Sequence, residues 1–306
     1  MFCIIYGVIV GVASWMGAGT IYLYGFIAVF FIGIQYLAGP SIVGWSMKVK
    51  YVSEKEEPDL HQMVAELARA AGIPKPKVGI SRLPIPNAFA FGRTRGDARV
   101  CVTTGILRLL SRDELRAVLG HEISHIKHRD MALITILSVV PMLCWFIAWG
   151  LMWSGAGRNR NAGYTVLIGL GGFALYLVTN LLVLYASRIR EYYADLGSIR
   201  IGNEPHHLAT ALYKLVIGNA RVPKEKLKEA EGLKAFFVND PSQAWNEIRD
   251  LKQIDLDMSG TIDIGELMAL RSKTIRPKGA DKMMELFSTH PNMLKRIKHL
   301  SSLTLG

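Results

Sequence analysis

The sequence predicts a mainly α-helical membrane protein of the α+β class, in which two helical hairpins anchor one soluble domain. The first observation is charge distribution: residues 1–47 contain no Asp, Glu, Lys or Arg, and residues 131–187 contain only Arg158 and Arg160. About 20 apolar residues span a bilayer, so each stretch is long enough for two spans. The second observation is that the remaining residues, about 200 in number, have the mixed charge and the size of a single soluble domain.

The first hairpin is predicted over residues 1–47, with arms at about Phe2–Met16 and Ile21–Trp45. Lys48 and Lys50 follow the second arm, so the positive-inside rule places that end and the N-terminus in the cytoplasm. A signal peptide is disfavoured because no basic segment precedes the first arm and a second arm follows at once.

The second hairpin is predicted over residues 131–187, with spans at about Met131–Trp153 and Tyr164–Ser187. Both of its ends must emerge on the same side of the membrane. The soluble domain is therefore predicted in two parts, residues 48–130 and 188–306, and the whole chain is expected to be a multi-pass protein of the cell membrane with a cytoplasmic domain.

The soluble part begins with local helix and strand signals. A helix is predicted from Pro58 to the residue before Gly72. Ser111 followed by Glu114 forms a capping-box pattern that opens another helix. Strand-like segments lie between these helices, at Val78–Ile80, residues 87–92 and Arg99–Val102.

The helix that Ser111 opens carries the motif H-E-I-S-H. Its histidines, His121 and His125, are four residues apart and project from one helix face, so they can bind one Zn²⁺. Glu122 follows the first histidine and can act as a general base toward water at the metal. The motif alone also occurs by chance.

A third ligand must come from elsewhere, because the sequence lacks the continuation H-x-x-G-x-x-H. Glu191 offers one. It lies shortly after the fourth predicted span, and His125 lies shortly before the third. A hairpin of these two spans would hold both residues at a similar height above the same membrane face. Asp195 lies one turn further on and would hydrogen-bond a ligand histidine. The alternative is a pair of surface helices with incidental charges.

These segments together resemble the membrane-bound HtpX-type zinc proteases, which are related to the type I CAAX prenyl proteases. The resemblance runs from about residue 50 onward, except for about residues 220–282. It rests on segments in a fixed order: residues 87–90, 102–105, 114–122, 125–126, 129–130, 191–195, 289–291 and Arg296. It implies a gluzincin-like domain with one zinc ion.

The resemblance also implies roles on the substrate side. Asn87, Ala88 and Phe89 would open an edge strand that pairs with the substrate backbone. His290, with Arg296 nearby, would stabilise the tetrahedral oxyanion. On the sequence alone, His290 is equally a structural loop residue, Arg296 a surface charge and Asn87 a turn residue.

A second metal motif lies within a predicted helix–loop–helix insertion at about residues 241–275. Residues 255–266 match the twelve-residue EF-hand loop, with a glycine at position 6 and these candidate Ca²⁺ ligands: Asp255, Asp257, Ser259, Thr261, Asp263 and Glu266. EF-hands usually pair, and the sequence has no second loop of this kind. The alternative is therefore an EF-hand-like fold without functional calcium, or one that holds Mg²⁺.

The expected function is zinc-dependent endoproteolysis at the cytoplasmic membrane face, with membrane proteins or unfolded polypeptides as substrates and quality control as the role. Nucleic acid is not an expected partner, although the net charge is +11. The 36 basic residues are mixed with the 25 acidic ones and form no arginine-rich arm. A calcium-responsive membrane scaffold and a site-specific processing protease remain alternatives. The sequence does not predict an oligomeric state.

Overall fold

The computed structural model describes residues 21–154, 162–223, 248, 251, 253–272 and 285–304. The chain divides into two compact units: one is Met1–Trp45 with Ser138–Thr179, and the other is Ser46–Leu137 with Asn180–Gly306. The predicted membrane segments overlap the first unit, and the predicted soluble parts overlap the second.

The described residues form a mainly helical protein with one small mixed sheet, as the sequence predicts. The helices are α1 Ile21–Ser46, α2 Pro58–Ala71, α3 Thr104–Leu109, α4 Arg112–His128, α5 Asp130–Leu137, α6 Val139–Ser154, α7 Ala162–Arg200, α8 Pro205–Ala220, α9 Ile264–Ser272 and α10 Met293–Leu303.

The sheet belongs to the second unit and has the strand order β1-β2-β4-β3. Its strands are β1 Val49–Tyr51, β2 Lys77–Ser81, β3 Ala88–Phe91 and β4 Arg99–Thr103. The central pair β2 and β4 is parallel, whereas β1 and β3 run antiparallel to their neighbours. Strand β3 therefore lies at an edge of the sheet, as the resemblance implies.

The core of the second unit forms where α2, α4 and α8 pack together. Helix α2 shows how the sequence determines its element: Leu60, Val64 and Leu67 recur on one face and are buried. The helix ends at Gly72, whose φ of +69° is readily adopted by glycine.

In the first unit, α6 and α7 pack antiparallel. Ala148 of α6 lies against Gly172 of α7, and Met152, one turn later, lies against Gly169. Residue numbers thus rise along one helix as they fall along the other, the arrangement of a hairpin. The predicted arm at Phe2–Met16 and the predicted connection at residues 155–161 lie outside the described residues.

The predicted third span is interrupted. Instead of one helix over Met131–Trp153, the structure has α5 and α6, with Ser138 between them. Pro141 explains the break, because its ring would clash with the carbonyl of Leu137 four residues earlier and it has no N–H to donate.

Among the residues that the structure describes, Val166–Arg200 is long and apolar enough to cross a membrane. The pair Arg112–His128 and Asp130–Trp145, bent by 57°, gives a second candidate if it is counted as one span. Helix α7 has no boundary at the predicted end of the fourth span, Ser187, and continues to Arg200.

Candidate metal centre

Helix α4 has well-defined ends. At its start the Ser111 hydroxyl accepts from the Glu114 backbone N–H while the Glu114 carboxylate accepts from that of Ser111, the predicted capping box. At its end Arg129 adopts a left-handed conformation with φ +58°, which turns the chain sharply into α5. The motif histidines lie in the last two turns before this corner.

Helices α4 and α7 approach closely because glycine occupies both sides of their contact. A Cβ on Gly120 would lie 2.7 Å from the Ser198 Oγ, and one on Gly197 would clash with Ser124. The Ser198 hydroxyl instead donates to the Ala117 carbonyl at 2.7 Å. This contact aligns the face of α4 that carries the histidines with the face of α7 that carries Glu191 and Asp195.

The structure brings His121, His125 and Glu191 together, with ligand atoms within 4.8 Å of one another. The two Nε2 atoms are 3.0 Å apart. Glu191 places Oε2 3.5 Å from Nε2 of His121 and Oε1 3.5 Å from Nε2 of His125. His121 and Glu191 are buried, and His125 is partly exposed to the cleft.

Each histidine is oriented by a carboxylate on its other nitrogen. Nδ1 of His121 lies 2.8 Å from Oδ1 of Asp195, and Nδ1 of His125 lies 2.7 Å from Oδ2 of Asp130. A carboxylate accepts only, so each Nδ1 donates, and in the neutral rings both Nε2 lone pairs face the same point. Two lone pairs and a carboxylate that converge in this way could hold a metal ion.

The donor set fits zinc. Bond lengths of about 2.0–2.2 Å place neighbouring ligands of a tetrahedral zinc site about 3.3–3.6 Å apart, close to the observed 3.0–3.5 Å. Burial by itself would lower the pKa of His121, but Asp195 and Glu191 outweigh it and raise that pKa to about 9. A metal ion would compete with this proton for Nε2.

Arg296 of α10 lies behind the ligands and has no exposed surface. Its guanidinium donates to both oxygens of Asp195, at 3.0 and 2.6 Å, and pairs with Oε2 of Glu191 at 3.0 Å. Burial would lower the pKa of Arg296, but the two carboxylates outweigh it and raise it. In this structure the buried Arg296 side chain therefore braces the candidate metal ligands, and its role on the substrate side stays a prediction.

Glu122 points into a cleft of about 270 Å³ that both motif histidines also line. Burial raises the pKa of its carboxyl, which accepts a hydrogen bond from the backbone N–H of Ala90 in the edge strand β3. A carboxyl group whose pKa is raised is suited to take a proton and return it.

The other predicted substrate-side residues divide into two groups. Ala88, Phe89 and His290 line the cleft. Nδ1 of His290 lies 3.5 Å from Oε1 of Glu191, and its Nε2 has no hydrogen-bond partner. Asn87 is not among the residues that line it: the side chain is only 1 % exposed, and its backbone is held by Thr103. The role of Asn87 in pairing with a substrate backbone stays a prediction.

The predicted calcium ligands form a separate cluster in the second unit. The carboxylates of Asp255, Asp257 and Glu266 come within 4.8 Å of one another. The remaining positions bond within the loop: the Asp263 carboxylate accepts from the Glu266 backbone N–H, and the hydroxyls of Ser259 and Thr261 contact each other.

Sequence reasoning found no role for Asp130, the partner of His125. An available signal was its place five residues after His125, beyond a helix end. Asp130 is buried and also forms an ion pair with Arg190 of α7, so it links the two metal-bearing helices.

Comparison with known proteins agrees with this geometry. The model of peptidase family M48 matches residues 54–304. A protease HtpX homolog of Methanothermobacter thermautotrophicus is 50% identical over 237 residues, which cover 78% of this chain and 90% of that one. A protease HtpX homolog of Moorella thermoacetica is 37% identical over 277 residues, with 89% and 81% covered.

The fold is similar to that in the crystal structure of S. mikatae Ste24p, with a TM-score of 0.55 and 16% sequence identity. That match covers 98% of this chain and 62% of the Ste24p chain, so it supports the fold alone. The family model, in contrast, covers more than half of the chain, and the relatives match over most of their lengths. The chain therefore belongs to peptidase family M48, the metalloprotease family of the HtpX-type proteases.

Proposed function

We propose that the protein is a membrane-anchored, zinc-dependent endopeptidase that cuts membrane-associated or misfolded proteins at the cytoplasmic face, as part of protein quality control. The observation that carries the proposal is the convergence of the Nε2 atoms of His121 and His125 with the Glu191 carboxylate beside Glu122. When bound there, Zn²⁺ supplies Lewis acidity that polarises a carbonyl and acidifies water.

Side chains of the protein carry out proton transfer, oxyanion stabilisation and orientation of the ligands. Glu122 takes a proton from the attacking water and returns it to the leaving amine. His290 lines the cleft and its Nε2 has no hydrogen-bond partner, so it donates to the oxyanion as negative charge develops. Asp195 and Asp130 keep the ligand histidines in the tautomer that binds metal.

The edge strand β3 supports binding of an extended polypeptide. It pairs with β4 on one side, and its Ala88, Phe89 and Ala90 line the cleft. A substrate strand can add to this edge through backbone hydrogen bonds, which favours unfolded segments and carries little sequence specificity. That preference suits quality control better than processing of a single site.

The membrane placement rests on sequence and helix length. We propose four spans in two hairpins, residues 1–47 and 131–187, with the catalytic parts 48–130 and 188–306 in the cytoplasm. The apolar helix Val166–Arg200 and the basic residues Lys48 and Lys50 support this arrangement.

The test is cleavage of an unfolded protein such as casein by the full-length protein in detergent, with wild type compared with Glu122→Gln. We expect the variant to lose about 10²- to 10⁴-fold in rate while it keeps its zinc, because the ligands are unchanged. Asp113→Asn, an exposed carboxylate at the start of α4, is the matched control and should cleave normally.

Equal cleavage by wild type and Glu122→Gln would contradict the proposal and favour a membrane scaffold. Cleavage of one membrane protein at a single bond, without attack on casein, would favour a site-specific processing protease.

A further inference from the structure

The loop at residues 255–266 lies outside the proposed catalytic centre and has the geometry of a cation site. Asp255 and Asp257 come from one end of the loop and Glu266 from the other, yet their carboxylates converge within 4.8 Å. Gly260 permits the sharp turn between them with φ +80°. These are the first, third, sixth and twelfth positions of an EF-hand loop.

One ligand atom in this cluster is buried without a partner. Asp255 is 7 % exposed, and its Oδ1 has no hydrogen bond. Its Oδ2, in contrast, accepts from the Tyr213 hydroxyl at 2.7 Å and from the Gly260 backbone N–H at 3.1 Å. A buried carboxylate oxygen that faces two other carboxylates is costly unless a cation binds there.

An EF-hand loop usually meets a second loop through the residue at its eighth position, here Ile262. Its backbone is buried and must find partners. The Thr210 hydroxyl of α8 supplies both hydrogen-bond partners. It accepts from the Ile262 N–H and donates to the Ile262 carbonyl, each at 2.9 Å. A single helix side chain thus replaces the missing loop.

The supporting helix α8 also contacts the metal-bearing helix. Lys214 of α8 pairs with Glu114 at 2.7 Å, the same residue that caps the start of α4. Helix α9, which begins within the loop, packs against α10, the helix that carries Arg296. The loop is therefore attached to two of the helices that support the catalytic ligands.

We propose that residues 255–266 form a calcium site in which α8 takes the place of the second EF-hand, so that calcium stabilises the catalytic unit. The ligands are carboxylate, hydroxyl and carbonyl oxygens, which suit Ca²⁺ and not Zn²⁺. Two contacts transmit the effect to α8: Tyr213 with Asp255, and Thr210 with Ile262.

The test is thermal unfolding of the full-length protein in detergent, after brief EGTA treatment, removal of the EGTA and confirmation that the zinc content is unchanged. CaCl₂ or MgCl₂ is then titrated at a fixed scan rate. For a dissociation constant on the order of 10⁻⁵ M, 1 mM Ca²⁺ should raise the unfolding midpoint by about 5–10 °C. Mg²⁺ at the same concentration should give a much smaller shift, because it prefers a smaller octahedral site.

Two ligand variants and two controls locate the effect. Asp257→Asn and Glu266→Gln should lose the calcium-induced shift, and Asp257 is exposed, so its variant should fold. Glu204→Gln removes one exposed carboxylate beside α8 and should keep the shift. Tyr213→Phe should still bind calcium in a calorimeter but gain less stability from it.

The proposal is contradicted if wild type shows no shift up to 10 mM Ca²⁺, if Asp257→Asn and Glu266→Gln respond like wild type, or if Mg²⁺ acts equally. Casein cleavage by the calcium-free protein at low temperature is measured separately, so failure of the calcium site stays distinguishable from failure of the protease proposal.

Discussion

The two candidate metal sites of this protein are built in opposite ways. The centre at His121, His125 and Glu191 collects its ligands from two helices, with Glu191 some 66 residues after His125 in sequence, and the Glu191 carboxylate is buried. The loop at residues 255–266 contains its own ligands in one continuous segment, and Asp257 is exposed. One site depends on packing between helices, and the other depends mainly on local chain geometry.

This difference predicts different sensitivities. Changes at the contact between α4 and α7 should affect zinc retention together with overall stability. Changes at the loop should affect the calcium response first and leave zinc in place. Variants at the two sites therefore test whether the zinc centre and the loop respond separately.

The largest effect is expected for Arg296→Met. The substitution leaves the buried carboxylates of Asp195 and Glu191 without their cation, which should cost about 3–5 kcal/mol in the free energy of unfolding. Chemical denaturation would measure it, with Arg200→Met, an exposed arginine of α7, as control. Similar losses of unfolding free energy in both variants would contradict a stabilising role for the buried contacts of Arg296 with Asp195 and Glu191.

A smaller loss is expected for Gly197→Ala. The new Cβ would clash with Ser124 and push α7 away from α4, which should cost about 1–3 kcal/mol and weaken zinc retention. Gly171→Ala is the matched control, because that glycine of α7 has nothing within 4 Å of an added Cβ. Unchanged stability in Gly197→Ala would refute the account of the helix contact.

Asp130→Asn should weaken zinc binding by about 10- to 100-fold, because the amide orients His125 less firmly and no longer pairs with Arg190. Competition with a zinc chelator would measure the change. The same variant should leave the calcium-induced shift intact, so a joint loss of both metals would count against two separate sites.

The smallest effect is expected for Tyr213→Phe without calcium. Loss of one hydroxyl bond to Asp255 should cost roughly 1–2 kcal/mol in unfolding free energy and should not change the zinc content. Tyr193→Phe, at an exposed position of α7, provides the control. Zinc loss in Tyr213→Phe would mean that the loop and the metal centre are not independent.

Local patterns allowed the sequence to predict much of this arrangement. The capping box at Ser111, the helix end at Gly72 and the spacing of His121 and His125 are each determined within a few residues. The burial of Arg296 was not predictable in this way, because it depends on contacts with Asp195 and Glu191, which are about 100 residues away in sequence. The role of Asp130 likewise depends on the left-handed corner at Arg129, a conformation that few non-glycine residues adopt.

Local sequence patterns also do not predict where the apolar helices end. Apolar composition indicates where spans lie but not where a helix ends, so the break at Ser138 and the continuation of α7 to Arg200 were not predicted. The continuation matters because one unbroken helix carries both a candidate membrane span and Glu191.

The most direct test of the central claim is the zinc content of purified wild type, Glu122→Gln and Glu191→Gln after exhaustive dialysis. We predict one zinc per chain in wild type and Glu122→Gln, and far less than one in Glu191→Gln, because the neutral amide is a poor substitute for the third ligand. Full zinc retention by Glu191→Gln would contradict the proposed metal centre.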